Sequence, residues 1–386
     1  MTRQALTRRR LLGAAGGLAL LSGTGVGTGW AQTPAPGDIR FFRIATGTTA
    51  GTYFPIGGLI ANAISNPPGS RPCDRGGSCG VPGLIAVAQA TIGSVENIEL
   101  MRAGTVEAGL AQADTAYWAY TGSGPYASKG AFTGIRSIGT LYLEAVHLVA
   151  RAAAPIETAA DLKGKLVSVG EEGSGTLVDA RVILDAYGLT EKDIEARYLK
   201  PGTAGDRLAR GELDAFFMIG GAPVGAVSDV ANRVPVRLVP FADPAAEQLR
   251  ERQRFFKDIV IPADTYTGVP ETPTLGVGAE LLVRADLSPD LVYGITRALW
   301  HENTRRLLAD GHPRGKSIVP ENAVSGNSVP LHPGAERYYR ETGLLGATAE
   351  GAPETPATPK SAPTPDAAPT PDAKPEPVEK RTEAKP

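Results

Sequence analysis

The sequence predicts an α/β protein of two lobes, with two long strands crossing between them and a ligand cleft at the crossing. Three observations carry that expectation. Leu162–Tyr187 reads as strand, turn and helix: Lys165–Val169 is a short β-branched run bounded by glycines, and Thr176–Tyr187 sets Leu177, Ala180, Leu184 and Tyr187 on one helical face closed by Gly188. Arg40–Ala63 repeats the unit, with a strand at Phe41–Ala45, a Gly/Thr-rich turn at Thr46–Thr52 and a helix starting near Pro55. Ile135–Arg151 and Pro273–Arg284 are β-rich runs long enough to pass from one lobe to the other.

The turn within Leu162–Tyr187, Gly170–Thr176, joins small residues to a helix start, so backbone amides can approach a ligand closely. Unpaired N–H groups and the positive helix end then point at the turn, which suits a small anion. Two such units, at 46–52 and 170–176, look like two jaws meeting over one solute.

Length and composition bound the rest. At 386 residues and 42% hydrophobic, the chain is long enough for two globular domains. A net charge of -2 leaves no basic footprint, so no nucleic-acid partner is expected. Residues 1–31 carry Arg3, Arg8, Arg9 and Arg10, then the apolar run Leu11–Leu21, then Gly29–Ala31, which reads as a secretory signal cleaved after Ala31. Thr7–Leu12 is also similar to a twin-arginine export signal, and the run is short for a membrane span. From about residue 346 to 386 the chain is Ala, Pro, Thr, Glu and Lys, with Ala362–Ala367 repeated as Ala368–Ala373; it reads as a disordered tail or an extended spacer.

Taken in order, the segment after the first jaw is a loop, Asn66–Pro82, with the only two cysteines, Cys73 and Cys79. In an exported chain such a pair points to a local disulfide ahead of a redox or metal site. With no histidine near them in the sequence they do not complete a zinc shell, so no metal is expected. Ile85–Ala90 is a strand, and Ser94 is a plausible N-cap for a helix running to about Ala103. Asn97 either supports that cap or reaches the cleft. Leu110–Ala113 is a short strand ending at Gln112 and Asp114, and polar groups at the carboxyl end of a strand face the ligand crevice of an open α/β sheet. Within Ile135–Arg151, Tyr142 and Glu144 share a face by the two-residue period, while His147 reads as a core histidine.

Further on, Ile194–Leu199 and Leu213–Ile219 are strands around a helix at Ala204–Arg210, and Gly220–Pro223 is a third glycine turn. Strands at Pro235–Val239 and Ile259–Ile261 flank a helix at Ala245–Phe256; Pro262–Glu271 runs irregularly through Tyr266; and Leu291–Leu308 and Ala335–Gly343 are helical.

Together these motifs resemble the TAXI receptors, the solute-binding subunits of tripartite (TRAP) transporters. The resemblance rests on ATGTTAGTYFPIG at 45–57, GSVENI at 93–98, QAD at 112–114, LYLEAVHLV at 141–149, DLKGKLVSVGEEGSGT at 161–176, GELDAFFMIGGAP at 211–223 and PADTYTG at 262–268. It implies a two-lobed periplasmic-binding-protein-like fold with two crossover hinge strands, lobe I at 40–142 and 275–345 and lobe II at 143–274. It also implies a periplasmic monomer that captures a small organic anion, glutamate, glutamine or a 2-oxo dicarboxylate, for a sodium-coupled permease. Thr48, Gly51, Thr52 and Tyr53 with Ser174, Gly175 and Thr176 are the expected anion contacts, through hydroxyls and amides. Asn97, Gln112, Asp114, Tyr142, Glu144 and Tyr266 are expected to complete the wall. The cysteine loop, the TYFP form of the first motif and the tail depart from the simplest family pattern, which leaves the ligand open.

Enzyme chemistry finds no comparable constellation. There is no G-x-S-x-G elbow, and Ser174 has no histidine in its own motif. Gly311–Ser317 is one residue short of a P-loop and is followed by Pro320, so it reads as a surface loop. Glu171 and Glu172 are adjacent carboxylates of the kind that are usually solvated. No cofactor and no catalytic residue are expected; a hydrolase and a ligand-binding sensor subunit are the alternative readings.

Overall fold

The computed structural model describes residues 39–346, which fall within one compact unit of the chain. The export-signal and tail readings lie outside the described residues. Twelve strands are described: β1 (Arg40–Ala45), β2 (Ser65–Asn66), β3 (Val81–Pro82), β4 (Leu84–Gln89), β5 (Ala108–Gln112), β6 (Ile135–Arg151), β7 (Leu166–Ser168), β8 (Glu195–Arg197), β9 (Ala215–Gly220), β10 (Val236–Leu238), β11 (Lys257–Ile261) and β12 (Thr272–Arg284). The helices are α1 (Tyr53–Ile64), α2 (Ser94–Arg102), α3 (Ala113–Thr121), α4 (Gly175–Ala186), α5 (Pro201–Ala209), α6 (Gly225–Ala231), α7 (Pro244–Arg252), α8 (Pro289–Leu299), α9 (Glu302–Gly311), α10 (Pro320–Ala323) and α11 (Pro333–Glu341).

The main sheet runs β4-β1-β5-β12-β6-β9-β7-β8, with β10 on β6 and β11 on β12. Its two ends are parallel, β4-β1-β5 and β9-β7-β8, whereas β12 and β6 between them are antiparallel to their neighbours. Parallel strands need crossover helices, and α1, α2, α4 and α5 supply them. The 17-residue β6 pairs with β12 over its first part and with β9 over its last, and Ala145 is the changeover, opposite both Gly276 and Gly220. This is the α/β, two-lobed architecture the sequence predicts.

Apolar periodicity accounts for the cores. Ile56, Ile60 and Ile64 on α1 meet Phe42 and Ile44 of β1, together with Leu141 of β6 and Leu281 of β12. At the other end Leu177, Ala180, Ile183 and Leu184 of α4 meet Val167 of β7, Phe217 of β9 and Leu148 of β6. The two long strands thus contribute to both cores.

Several boundaries differ from expectation. The expected helix Leu291–Leu308 is two helices, because the His301 ring caps α9 by accepting the Asn303 N–H at 3.2 Å. Gly93, not Ser94, is the N-cap of α2; Ser94 opens the helix and turns its hydroxyl to Gln112. In α4 the N-cap is Ser174, whose Oγ accepts from Leu177 N–H at 3.0 Å.

Candidate functional site

Both glycine turns open onto one cavity, of about 540 Å³ including its mouth. Its wall holds Gly47, Thr48, Gly51, Thr52 and Tyr53 from the first turn, and Gly170, Glu171, Ser174, Gly175 and Thr176 from the second. Ile92, Gly93, Ser94, Gln112, Glu144, Leu199, Pro201 and the apolar Phe217, Met218 and Ile219 complete it. The starts of α1, α2, α3, α4 and α5 all reach this wall, through Thr52, Gly93, Gln112, Ser174 and Pro201. Helix N-termini carry partial positive charge and unpaired N–H groups, so several of them converging favour an anionic group.

The side chains on the wall have the opposite character. Among the described residues the cavity lining includes two carboxyls, Glu144 and Glu171, and no lysine, arginine or histidine. Glu144 is 2% exposed and accepts a hydrogen bond from Tyr53 Oη at 2.9 Å. Burial pushes its carboxyl up to about 8, against the opposing hydrogen bond from Tyr53. Burial also raises Glu171 above the usual carboxylate range.

Beneath the cavity lies a second pair of acids, Asp114 on α3 and Asp179 on α4, both wholly buried. Burial, and then the charge of neighbouring Asp114, hold Asp179 well above the usual carboxylate range. Gln112 ties the pair to the wall: its amide Nε2 donates to Asp179 Oδ2 at 2.6 Å, and its Oε1 accepts from Ser94 Oγ at 3.1 Å.

The expected contacts are therefore sorted by the structure. Thr48, Gly51, Thr52, Tyr53, Gln112, Glu144, Ser174, Gly175 and Thr176 line the cavity; Asn97, Asp114, Tyr142 and Tyr266 do not. Asn97 neither caps α2 nor reaches the cleft: its amide donates to the carbonyls of Thr46 and Leu110 at 2.6 and 2.7 Å, joining the ends of β1 and β5. Tyr266 is a core residue whose hydroxyl accepts from Val224 N–H at 2.9 Å and pairs with His147 Nε2 at 2.8 Å. His147 is the core histidine expected, and burial pushes its ring down to about 4.

The hydroxyls expected to face the ligand are partly committed elsewhere. Thr52 Oγ1 donates to Gly221 O at 2.9 Å, Ser174 Oγ donates to Glu171 O at 2.7 Å, and Thr176 Oγ1 accepts from Ile219 N–H at 3.2 Å. What these residues present is chiefly backbone.

Sequence reasoning missed Phe217, Met218 and Ile219, which lie at the carboxyl end of β9 before a glycine turn, because the crevice rule was applied to polar residues alone. It also read Glu171 as solvated and Gly311–Ser317 as surface loop. In that loop Arg314 is half-buried and its Nη2 donates to Ala222 O at 2.6 Å, across to the turn after β9. With the bonds Thr52 to Gly221 and Ala226 N–H to Ala50 O at 3.1 Å, this clasps the two sides of the cavity.

Cys73 and Cys79 form the expected disulfide. A histidine distant in sequence does stand beside it, His301, with Nε2 at 3.8 Å from Cys73 Sγ. The three side chains are close enough to hold a metal ion. They do not fit one here, since both sulfurs are spent in the disulfide and a neutral His301 ring that accepts at Nδ1 carries its hydrogen on Nε2. Among the described residues no helix is long and apolar enough to cross a membrane.

Residues 44–343 match the model of the NMT1-like family. Solved structures similar to this one include the periplasmic aliphatic sulphonate binding protein SsuA from Escherichia coli, at 16% identity over 79% of this chain and 88% of that one, with a TM-score of 0.42. Another is the alkanesulfonate-binding protein SsuA from Xanthomonas axonopodis pv. citri bound to MOPS, at 15% identity over 79% and 94% of the two chains, with a TM-score of 0.44. The solutes named there belong to those proteins.

Proposed function

The chain belongs to the NMT1-like family, and from that membership and the geometry of the cavity we propose a non-enzymatic, exported receptor that encloses one small organic anion and passes it to a membrane transporter. The observation that carries this reading is the meeting of both glycine turns on one cavity ringed by helix starts. First-turn amides suit a carboxylate. Glu144 and Glu171 then act on the remainder of the ligand, and their complement is an ammonium group. A ligand ammonium beside Glu144 would draw its carboxyl back to the ionised form and pair with it, so an amino acid such as glutamate or glutamine is the proposed ligand ahead of a 2-oxo dicarboxylate.

Thr48, Gly51, Thr52, Tyr53, Ser174, Gly175 and Thr176 are the proposed anion contacts, with Gln112 and Glu144 selecting the ligand. We assign lobe I to 40–142 and 275–345 and lobe II to 143–274, bending where β6 changes partners at Ala145. A periplasmic monomer and a sodium-coupled TRAP permease are read from the export-like leader and from the TAXI motifs.

Mass spectrometry of small molecules released from the purified, denatured protein tests the ligand, followed by calorimetry with glutamate and 2-oxoglutarate on wild type and Glu144→Gln. An amino acid released, and bound about ten- to hundredfold more weakly by the variant, is the expected result. A ligand without an acidic group, or turnover of any solute, would overturn the reading. Reconstituted uptake should follow a sodium gradient; uptake driven by ATP, or binding without uptake, would assign a different membrane partner.

A further inference from the structure

The loop between β2 and β3 takes no part in the cavity, yet its disulfide has specific company. His301 is the N-cap of α9, a ten-residue helix, and its Nδ1 accepts the Asn303 N–H at 3.2 Å. The neutral ring therefore presents Nε2–H to Cys73 Sγ, 3.8 Å away. Asn303 Nδ2–H donates to Cys79 Sγ at 3.3 Å. Each sulfur thus faces an N–H donor at the positive end of a helix, and both cysteines are partly exposed. Donors of this kind do little for a disulfide but stabilise a thiolate, which is the leaving species when a disulfide is opened.

We propose that Cys73–Cys79 is a thiol-disulfide exchange site for a dithiol, with His301 and Asn303 holding the two cysteine sulfurs as they leave. One thiolate of the dithiol attacks Cys79 Sγ. The S–S bond breaks and its electron pair departs on Cys73 Sγ, held as a thiolate by His301 Nε2–H. The second thiol of the dithiol, having lost its proton to solvent, attacks the mixed disulfide and expels Cys79 Sγ toward Asn303. The dithiol leaves oxidised by two electrons, and the protein keeps two reduced cysteines that equilibrate with protons from water. The site lies outside the solute cavity, so this inference stands or falls apart from the receptor reading.

The test follows reduction of the folded full chain by dithiothreitol, with quenching by an alkylating agent and mass-spectrometric counting of blocked Cys73 and Cys79. His301→Asn retains a capping side chain for α9 but removes the ring N–H from Cys73. The expected result is complete reduction with circular dichroism unchanged, slowed about three- to tenfold in His301→Asn at an unchanged melting temperature. In a glutathione redox buffer the same variant should shift toward the disulfide form by a similar factor, a readout that helix capping alone does not move. Equal rates and equilibria in wild type and variant, or reduction no faster than global unfolding, would overturn the proposal.

Discussion

Gly175→Ala is a substitution whose cost can be worked from the structure. A Cβ at position 175 would stand 1.4 Å from Gln112 Oε1, 2.6 Å from its Cδ and 2.7 Å from Ser94 Oγ. No backbone strain is involved, because Gly175 is not in the left-handed region and opens α4, where alanine is a good helix former. Gln112 cannot yield easily: it is 2% exposed and held by Asp179 Oδ2 at 2.6 Å and by Ser94 Oγ at 3.1 Å. Swinging it away breaks the Asp179 bond and leaves a buried carboxyl without its donor, about 2–3 kcal/mol against the closed arrangement. At 1.4 kcal/mol per tenfold that is roughly thirty- to hundredfold in affinity. Calorimetry with the released ligand measures it, and small-angle scattering should show a variant that stays wider than wild type at saturating ligand. Wild-type affinity in a correctly folded variant would refute the argument that Gly175 and Gln112 must meet for the two sides to close.

Other outcomes follow from the same geometry. Glu144 is raised in the folded state to about 8, so its contribution is fully present below about pH 4.5 and is lost as pH rises through 8; over that span it is worth a few kcal/mol, and in Glu144→Gln the fall in melting temperature from pH 5 to 8 should become shallower. Asp179→Asn removes a second buried acid of raised pKa, and thermal melts should show it more stable relative to wild type at pH 8 than at pH 5. Arg314→Ala deletes the bond to Ala222 O and should weaken binding about tenfold by calorimetry, with secondary structure intact. Gly58→Ala, an exposed helix position with nothing near its would-be Cβ, should raise stability by about 0.5–1 kcal/mol in denaturant titrations and leave affinity unchanged.

Much of the fold was legible because it rests on local periodicity. The strand-turn-helix units at 40–63 and 162–187 and the extent of β6 follow from apolar spacing and glycine placement, and they appear within a few residues of expectation. The side-chain constellation was less so. Asn97 carries an amide that reads equally well as cap or ligand contact, and only the approach of two carbonyls decides its use. Tyr266 lies in an irregular stretch where no period tells core from cleft. Arg314 and His301 act on partners 92 and 228 positions away, and such separations leave no trace in a linear pattern.

The join between the two halves has a mechanical consequence. β12 leaves β11 at Gly276 and meets β5 at Ala279, and β6 meets β9 only from Ala145 on, so between the halves Val277–Gly278 and Leu143–Glu144 pair with each other alone, a short two-stranded ribbon and not two independent threads. A ribbon flexes readily about an axis lying in its own plane but resists sliding of one strand past the other, since sliding would sever the ladder. Opening about this ribbon would be confined to something like the swing of a book cover. A membrane partner would then need to distinguish only two silhouettes, shut and ajar, to know whether cargo is aboard.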